Sequence, residues 1–163
     1  MKLVENAVLP MKAHPSDAGA DLTVTSVEFD SEHDVYTYHS GIAMEIPEGH
    51  VGLLFPRSSI YSTGLSLTNC VGVIDANYRG EVTAKMRKSA FNVDAYEVGD
   101  RFCQLIVMPI PSVQYQEAKI LSNTERGTGG YGSTGRKFLK KWLCIAHLNL
   151  MRSGETIRFL QSK

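Results

Sequence analysis

An all-β fold, a sandwich or a barrel, is predicted by three features of this sequence. Short apolar or β-branched runs recur along residues 1–122, turn-forming clusters separate them, and helical periodicity is scarce before residue 136. In chain order, Val35-Tyr36-Thr37-Tyr38-His39 is rich in β-branched and aromatic side chains, as strands are. Val51 to Phe55 is a short apolar run. From Val82 to Arg87 apolar and polar residues alternate, the period of a half-buried strand. Phe102 to Ile110 is apolar except at Gln104. The punctuation is Pro47-Glu48-Gly49, Asp75-Ala76-Asn77, Arg79-Gly80 and Val98-Gly99-Asp100. Ser58 to Thr63 predicts one short helix, with Gly64 as its stop.

The organisation has three parts: a β domain over 1–122, a glycine-rich arm over 123–135, and a tail over 136–163. The arm holds five glycines and almost no core-forming side chains, which predicts mobility unless something binds it. In the tail, Leu139, Trp142, Leu143, Ala146 and Leu150 recur at helical spacing between lysines, predicting an amphipathic basic helix. Net charge is zero over 163 residues, a length that suits one domain with a real core. That zero conceals a net of −6 over residues 1–135, from ten basic and sixteen acidic residues. A net of +6 in the tail balances it. No nucleic-acid partner is expected. Neither a signal peptide nor an apolar stretch of the roughly 20 residues that span a bilayer is present, so a reducing cytoplasm, of a cell or a virus-infected host, is expected. Cys70, Cys103 and Cys144 form no C-x-x-C pair, and Cys70 and Cys103, in apolar runs, are expected to be buried.

Five segments carry potential chemistry, and each also has a plain structural reading. Asp17-Ala18-Gly19-Ala20-Asp21 sets a carboxylate after a small, flexible run, open to a hard cation or its water, or to simple turn capping. Pro56-Arg57-Ser58-Ser59 offers a guanidinium fork and hydroxyls at a helix start, suited to phosphate or to an N-capped surface turn. Asn69 to Glu81 places Asp75 and Tyr78 on what reads as a rigid hairpin, preorganised for a site or merely a turn. Gln104 interrupts an apolar strand, so its amide needs a partner, structural or phosphate. Arg126-Gly127-Thr128-Gly129-Gly130-Tyr131-Gly132-Ser133-Thr134-Gly135 offers backbone N–H groups and side-chain donors to phosphate, or is a linker. It is no Walker A loop, because Arg136-Lys137 follows where Lys-Ser/Thr is needed.

Taken together and in this order, the segments resemble the five motifs of the homotrimeric dUTPases, over nearly all of residues 1–135. The resemblance implies a distorted jelly-roll (β-clip) fold, a homotrimer with active sites between subunits, and hydrolysis of dUTP to dUMP and pyrophosphate with Mg2+. It implies that Asp21 holds a water on the metal and that Arg57, Ser58 and Ser59 meet phosphate oxygens. Gln104 would contact the α-phosphate region, and Asp75 would orient and deprotonate the attacking water. Tyr78 would lie under the deoxyribose, leaving no room for a 2′-hydroxyl. Asn69, with backbone groups including those of Gly72, Val73 and Ile74, would read the uracil edge. Arg126, Gly132, Ser133 and Thr134 would clamp phosphates from another subunit, with Tyr131 stacked on the base. The family usually has Phe at that last position, and stacking survives the change.

The residue types suit the chemistry. A triphosphate needs cations to neutralise it and its leaving pyrophosphate, and in-line attack needs a fixed carboxylate. A pocket matched to uracil N3–H and O4 meets the opposite polarity at cytosine. Two alternatives stand beside this reading. One is a dCTP deaminase, or a bifunctional deaminase–dUTPase, of the same fold, which resembles this third motif but with Trp at the Tyr78 position. The other is a module that binds nucleotide or protein without turnover. A regulatory protein partner is compatible with all of them. The resemblance stops at Gly135, and the 28 residues beyond are open to three readings: a helix packed on the trimer, a partner- or membrane-surface element, or a non-native appendage.

Overall fold

Strand β7 (Glu81–Lys88) shows how the pattern becomes structure. Val82, Ala84 and Met86 point inward and are buried, while Thr83, Lys85 and Arg87 face outward. The computed structural model describes residues 1–89 and 95–135. The other strands are β1 (Ala20–Thr23), β2 (Ser26–Asp30), β3 (Val35–Ala43), β4 (His50–Pro56), β5 (Leu65–Leu67), β6 (Gly72–Ile74) and β8 (Arg101–Pro109). They form two antiparallel four-stranded sheets, ordered β1-β8-β4-β6 and β2-β3-β7-β5. This is the all-β jelly-roll class that the sequence predicts, with the strands at 35–39, 51–55, 82–87 and 102–110 in place.

The two inner faces supply the core, in which Leu22, Tyr38, Met86, Phe102 and Cys103 are fully buried. Tyr38 packs on Phe102 with ring centroids 5.9 Å apart and meets Tyr96 edge-on at 5.8 Å. Neither phenol hydroxyl has a hydrogen-bond partner among the described residues, and burial pushes Tyr38 up to about 12. The short helix is a 3-10 turn over Ser58–Ser62, closed by Thr63 N–H on Ile60 O at 3.0 Å and followed by Gly64 at φ +61.

Two expectations are corrected. Asp75–Gly80 does not close a hairpin, because β6 pairs with β4 while β7 pairs with β3 and β5, so the turn carries the chain from one sheet to the other. Cys103 is buried as expected, but Cys70 is exposed. Its residue sits in the loop between β5 and β6 at φ +61, where the chain turns and no strand face covers it.

The described residues fall into two units, one within Met1–Gln114 and a second beginning at Tyr115. In the second, residues 115–135 carry turns, among them Gly127 N–H on Thr124 O at 3.1 Å and Gly135 N–H on Gly132 O at 2.8 Å. The predicted tail helix lies outside the described residues, as does Cys144.

Candidate active site

The sheet order β1-β8-β4-β6 brings four of the five segments onto neighbouring strands. Asp21 on β1 is paired with Gln104 on β8, and Gln104 in turn with Phe55 on β4, two residues before Arg57. Register therefore gathers the first, second and fourth segments at one end of the sheet. Arg57 Nε donates to Asp21 Oδ1 at 3.0 Å, and Arg101 donates through a terminal nitrogen to Asp21 Oδ2 at 3.0 Å. A second Arg57 nitrogen reaches Arg101 O at 3.4 Å. Gln104 Nε2 donates to Pro56 O at 3.2 Å, which gives its amide the structural partner it requires. The Gln104 side chain lies so close to Gly19 that a Cβ there would stand 2.6 Å from Oε1. Gly19 thus clears space for Gln104.

Ser58 and Ser59 open the 3-10 turn directly after Arg57. The buried phenol of Tyr96 is pushed above its ordinary range mainly by desolvation.

The third segment lines a cavity of about 200 Å3. Asn69, Gly72, Val73, Ile74, Asp75 and Tyr78 all border it, so the residues singled out from this segment converge on one space. The turn is tightly held. Tyr78 N–H donates to Asp75 O at 3.0 Å, and Arg79 donates to Ala76 O at 2.6 Å and Tyr78 O at 2.9 Å. Tyr78 Oη donates to Glu81 O at 2.9 Å. The ring folds back over Gly80 so closely that a Cβ there would collide with it. A second cavity of about 220 Å3 adjoins, with Asn69 and Gly72 bordering both.

The two ends of the site are not together within one chain. On β4, Ile74 pairs with Gly52, whereas Gln104 pairs with Phe55 and Arg57 lies beyond Pro56. Asp75 and Arg57 are thus separated by nearly the whole length of β4, roughly 20 Å at about 3.3 Å per residue.

The fifth segment belongs to the second unit. Arg126 Nε donates to Gly129 O at 2.9 Å, and Ser133 N–H donates to Gly130 O at 2.9 Å. A Cβ at Gly129 would stand 2.9 Å from Ser133 Oγ, so the glycine permits that fold. Tyr131 is fully exposed at φ +49, with Gly132 beside it at φ +85 and Thr134 exposed.

A protein-family model for dUTPase matches residues 5–135. A deoxyuridine 5′-triphosphate nucleotidohydrolase of Rhodococcus erythropolis is 42% identical over 134 residues, which cover 78% of this chain and 79% of that protein. The chain belongs to the dUTPase family.

Among solved dUTPases, that of Staphylococcus bacteriophage 80alpha, with dUPNHPP, superposes at a TM-score of 0.71 with 28% identity, covering 83% of this chain and 96% of that one. The dUTPase of phage phi11 of S. aureus, a mutant described with a structural Mg(II) ion, superposes at 0.62 with 26% identity, covering 74% and 95%. Within this dUTPase frame, no cluster of three or more His, Cys, Asp or Glu capable of caging a metal exists among the described residues. Mg2+ does not need one, since it keeps several waters and takes one or two carboxylates together with substrate phosphates. Asp21 fits such a role through water, because each of its oxygens accepts one guanidinium N–H and retains a second lone pair. No helix among the described residues is long and apolar enough to cross a membrane.

Three residues with no role expected from the sequence hold the others in place. Arg101 completes the hold on Asp21, Arg79 clamps the Asp75–Tyr78 turn, and Glu81 receives the Tyr78 hydroxyl. Their signal was ambiguous: Arg79 and Glu81 lie inside the third segment and Arg101 stands three residues before Gln104, but a charged residue beside a turn is usually only solvated.

Proposed function

We propose that this protein hydrolyses dUTP to dUMP and pyrophosphate by in-line attack of water on the α-phosphorus. The observation that carries the proposal is the shared cavity of Asn69, Asp75 and Tyr78 on a turn locked at both ends. Asn69 and the backbone around Gly72, Val73 and Ile74 read the uracil edge, and Tyr78 underlies the sugar. Asp75 orients the water and takes its proton as oxygen bonds to the α-phosphorus and the bond to the bridging oxygen breaks. Pyrophosphate leaves with that electron pair.

Arg57, Ser58 and Ser59 bind phosphate oxygens, and Gln104 contacts the α-phosphate region. Arg126, Gly132, Ser133 and Thr134 clamp the remaining phosphates while Tyr131 stacks on the base. When bound, Mg2+ neutralises triphosphate charge, with Asp21 holding it through water. Positioning contributes more here than basicity, since a carboxylate is a weak base that must be aimed.

Because Asp75 and Arg57 stand at opposite ends of β4, the reading requires the sites to be completed between chains. A homotrimer with each site shared among subunits meets that requirement, the arm over 123–135 being contributed by another copy. A regulatory protein partner is a further part of the proposal, supported by the phage neighbours, whose dUTPases are described as controlling transfer of virulence genes by a G protein-like mechanism. The cytoplasm, where the nucleotide pool lies, is the proposed compartment.

Pyrophosphate release from dUTP, dTTP, dCTP and UTP, with and without Mg2+, tests the proposal. Release confined to dUTP and dependent on the metal is expected. Conversion of dCTP to dUTP or dUMP would instead assign a deaminase, and no turnover of any nucleotide would leave a binding module.

A further inference from the structure

We infer that Glu81 is a specificity-determining positioning residue, whose carboxylate, anchored on a bulge in β3, fixes the carbonyl that holds the Tyr78 hydroxyl. The inference rests on the proposed role of Tyr78 beneath the sugar and explains what keeps that ring in place.

The anchor begins with an interrupted ladder. β7 meets β3 at Ala43↔Glu81, and the next pair is His39↔Thr83, so residues 40–42 of β3 face the single Val82. Such bulges re-aim neighbouring side chains and leave backbone groups without ladder partners. Gly41 adopts φ +64 there. Side chains replace the lost ladder bonds. Glu81 Oε1 accepts Gly41 N–H at 2.6 Å, and Ser40 Oγ donates to Val82 O at 2.6 Å. Glu81 Oε2 lies 2.9 Å from His39 Nδ1, within hydrogen-bond distance. On the far side, His39 Nε2 is 3.6 Å from Glu28 Oε2.

The bulge is itself held from outside. Leu3 N–H donates to Gly41 O at 2.7 Å, and a Cβ on Gly41 would stand 2.9 Å from the Ala7 Cβ. Glu81 is therefore tied through its side chain to a fixed point, and through its carbonyl to Tyr78 Oη at 2.9 Å. Gly80, with no Cβ to obstruct, lets the ring lie against that backbone. A gate that rejects one extra hydroxyl must hold its geometry to within about 0.5 Å. Glu81 supplies that constraint from a carboxylate bound to the β3 bulge, and the residue borders the cavity while its side chain needs no contact with substrate.

The test compares kcat/KM for dUTP and UTP in the full chain and in Glu81→Ala, Glu81→Asp, Glu81→Gln and His39→Ala, with folding checked by circular dichroism. Glu81→Ala is expected to narrow the preference for dUTP over UTP by about tenfold or more, because a loosened tyrosine admits the ribose hydroxyl. Glu81→Gln should retain most of the preference, since its amide oxygen still accepts Gly41 N–H. A purely structural role would lower both rates together and leave the ratio alone. A folded Glu81→Ala with the preference of the unmodified chain overturns the inference. If Glu81→Ala does not fold, Glu81→Asp, one methylene too short to reach Gly41 N–H, decides in the same way, a narrowed ratio supporting and an unchanged ratio overturning it, while His39→Ala, which leaves that anchor in place, should keep most of the preference. An unmodified chain that leaves dUTP intact, or turns over UTP equally well, removes the reading of the site and this inference with it.

Discussion

Arg57 Nε donates to Asp21 Oδ1 at 3.0 Å, so the residue that leads into the 3-10 turn is braced by a carboxylate from the first strand. Arg101 holds the other oxygen at the same distance, leaving the cluster with one surplus positive charge. That surplus suits a polyanion, and the bracing spares Arg57 the entropy of being ordered by substrate.

Asp21→Asn removes the charge that pairs both guanidinium groups. It is expected to raise the KM for dUTP and the Mg2+ concentration needed for half-maximal rate, each by about tenfold, consistent with loss of one charge-assisted interaction. Steady-state kinetics across a Mg2+ titration checks this, and an unchanged metal dependence would exclude Asp21 from the metal's surroundings.

Asp75→Asn leaves the turn geometry in place, because the bond that closes it, from Tyr78 N–H, goes to the main-chain oxygen of Asp75. The expected result is nucleotide binding close to that of the unmodified chain, with kcat lower by about 10²- to 10⁴-fold. Calorimetry with a non-hydrolysable analogue, beside single-turnover rates, separates the two effects. An unaltered kcat would rule out Asp75 as the base.

Gly80→Ala forces a Cβ into the Tyr78 ring. The ring must leave its place, so activity on UTP should rise relative to dUTP, as it should when Tyr78→Ala removes the ring altogether. Both variants should unfold near the temperature of the unmodified chain, since Tyr78 is half exposed and outside the core. If neither variant moves the UTP to dUTP ratio, the sugar gate lies elsewhere.

Burial pushes the Cys103 thiol up to about 12, while Cys70 is exposed. Alkylation proceeds through the thiolate, so at about pH 8 Cys70 should be modified readily and Cys103 only after denaturation. Peptide mapping of the labelled protein resolves each position. Rapid labelling of Cys103 in the folded protein would mean that the core between the sheets opens far more easily than its packing suggests.

Much of this molecule could be read from residue order alone, because side-chain alternation along a strand is a local property. Val82, Ala84 and Met86 declare their face whatever they pack against, and turn residues such as Asp75 and Gly80 mark where a strand must end. The five segments, too, were visible as short runs whose residue types already suited a metal, phosphates, a base and a sugar. Which strands pair is another matter, since that depends on burial among segments far apart in the chain. Pairing sent β6 and β7 to different sheets, set Cys70 on an exposed loop, and gave Asp21 two arginines from elsewhere in the sequence. It also placed Arg57 and Asp75 at opposite ends of one strand, a separation with no trace in their spacing along the chain.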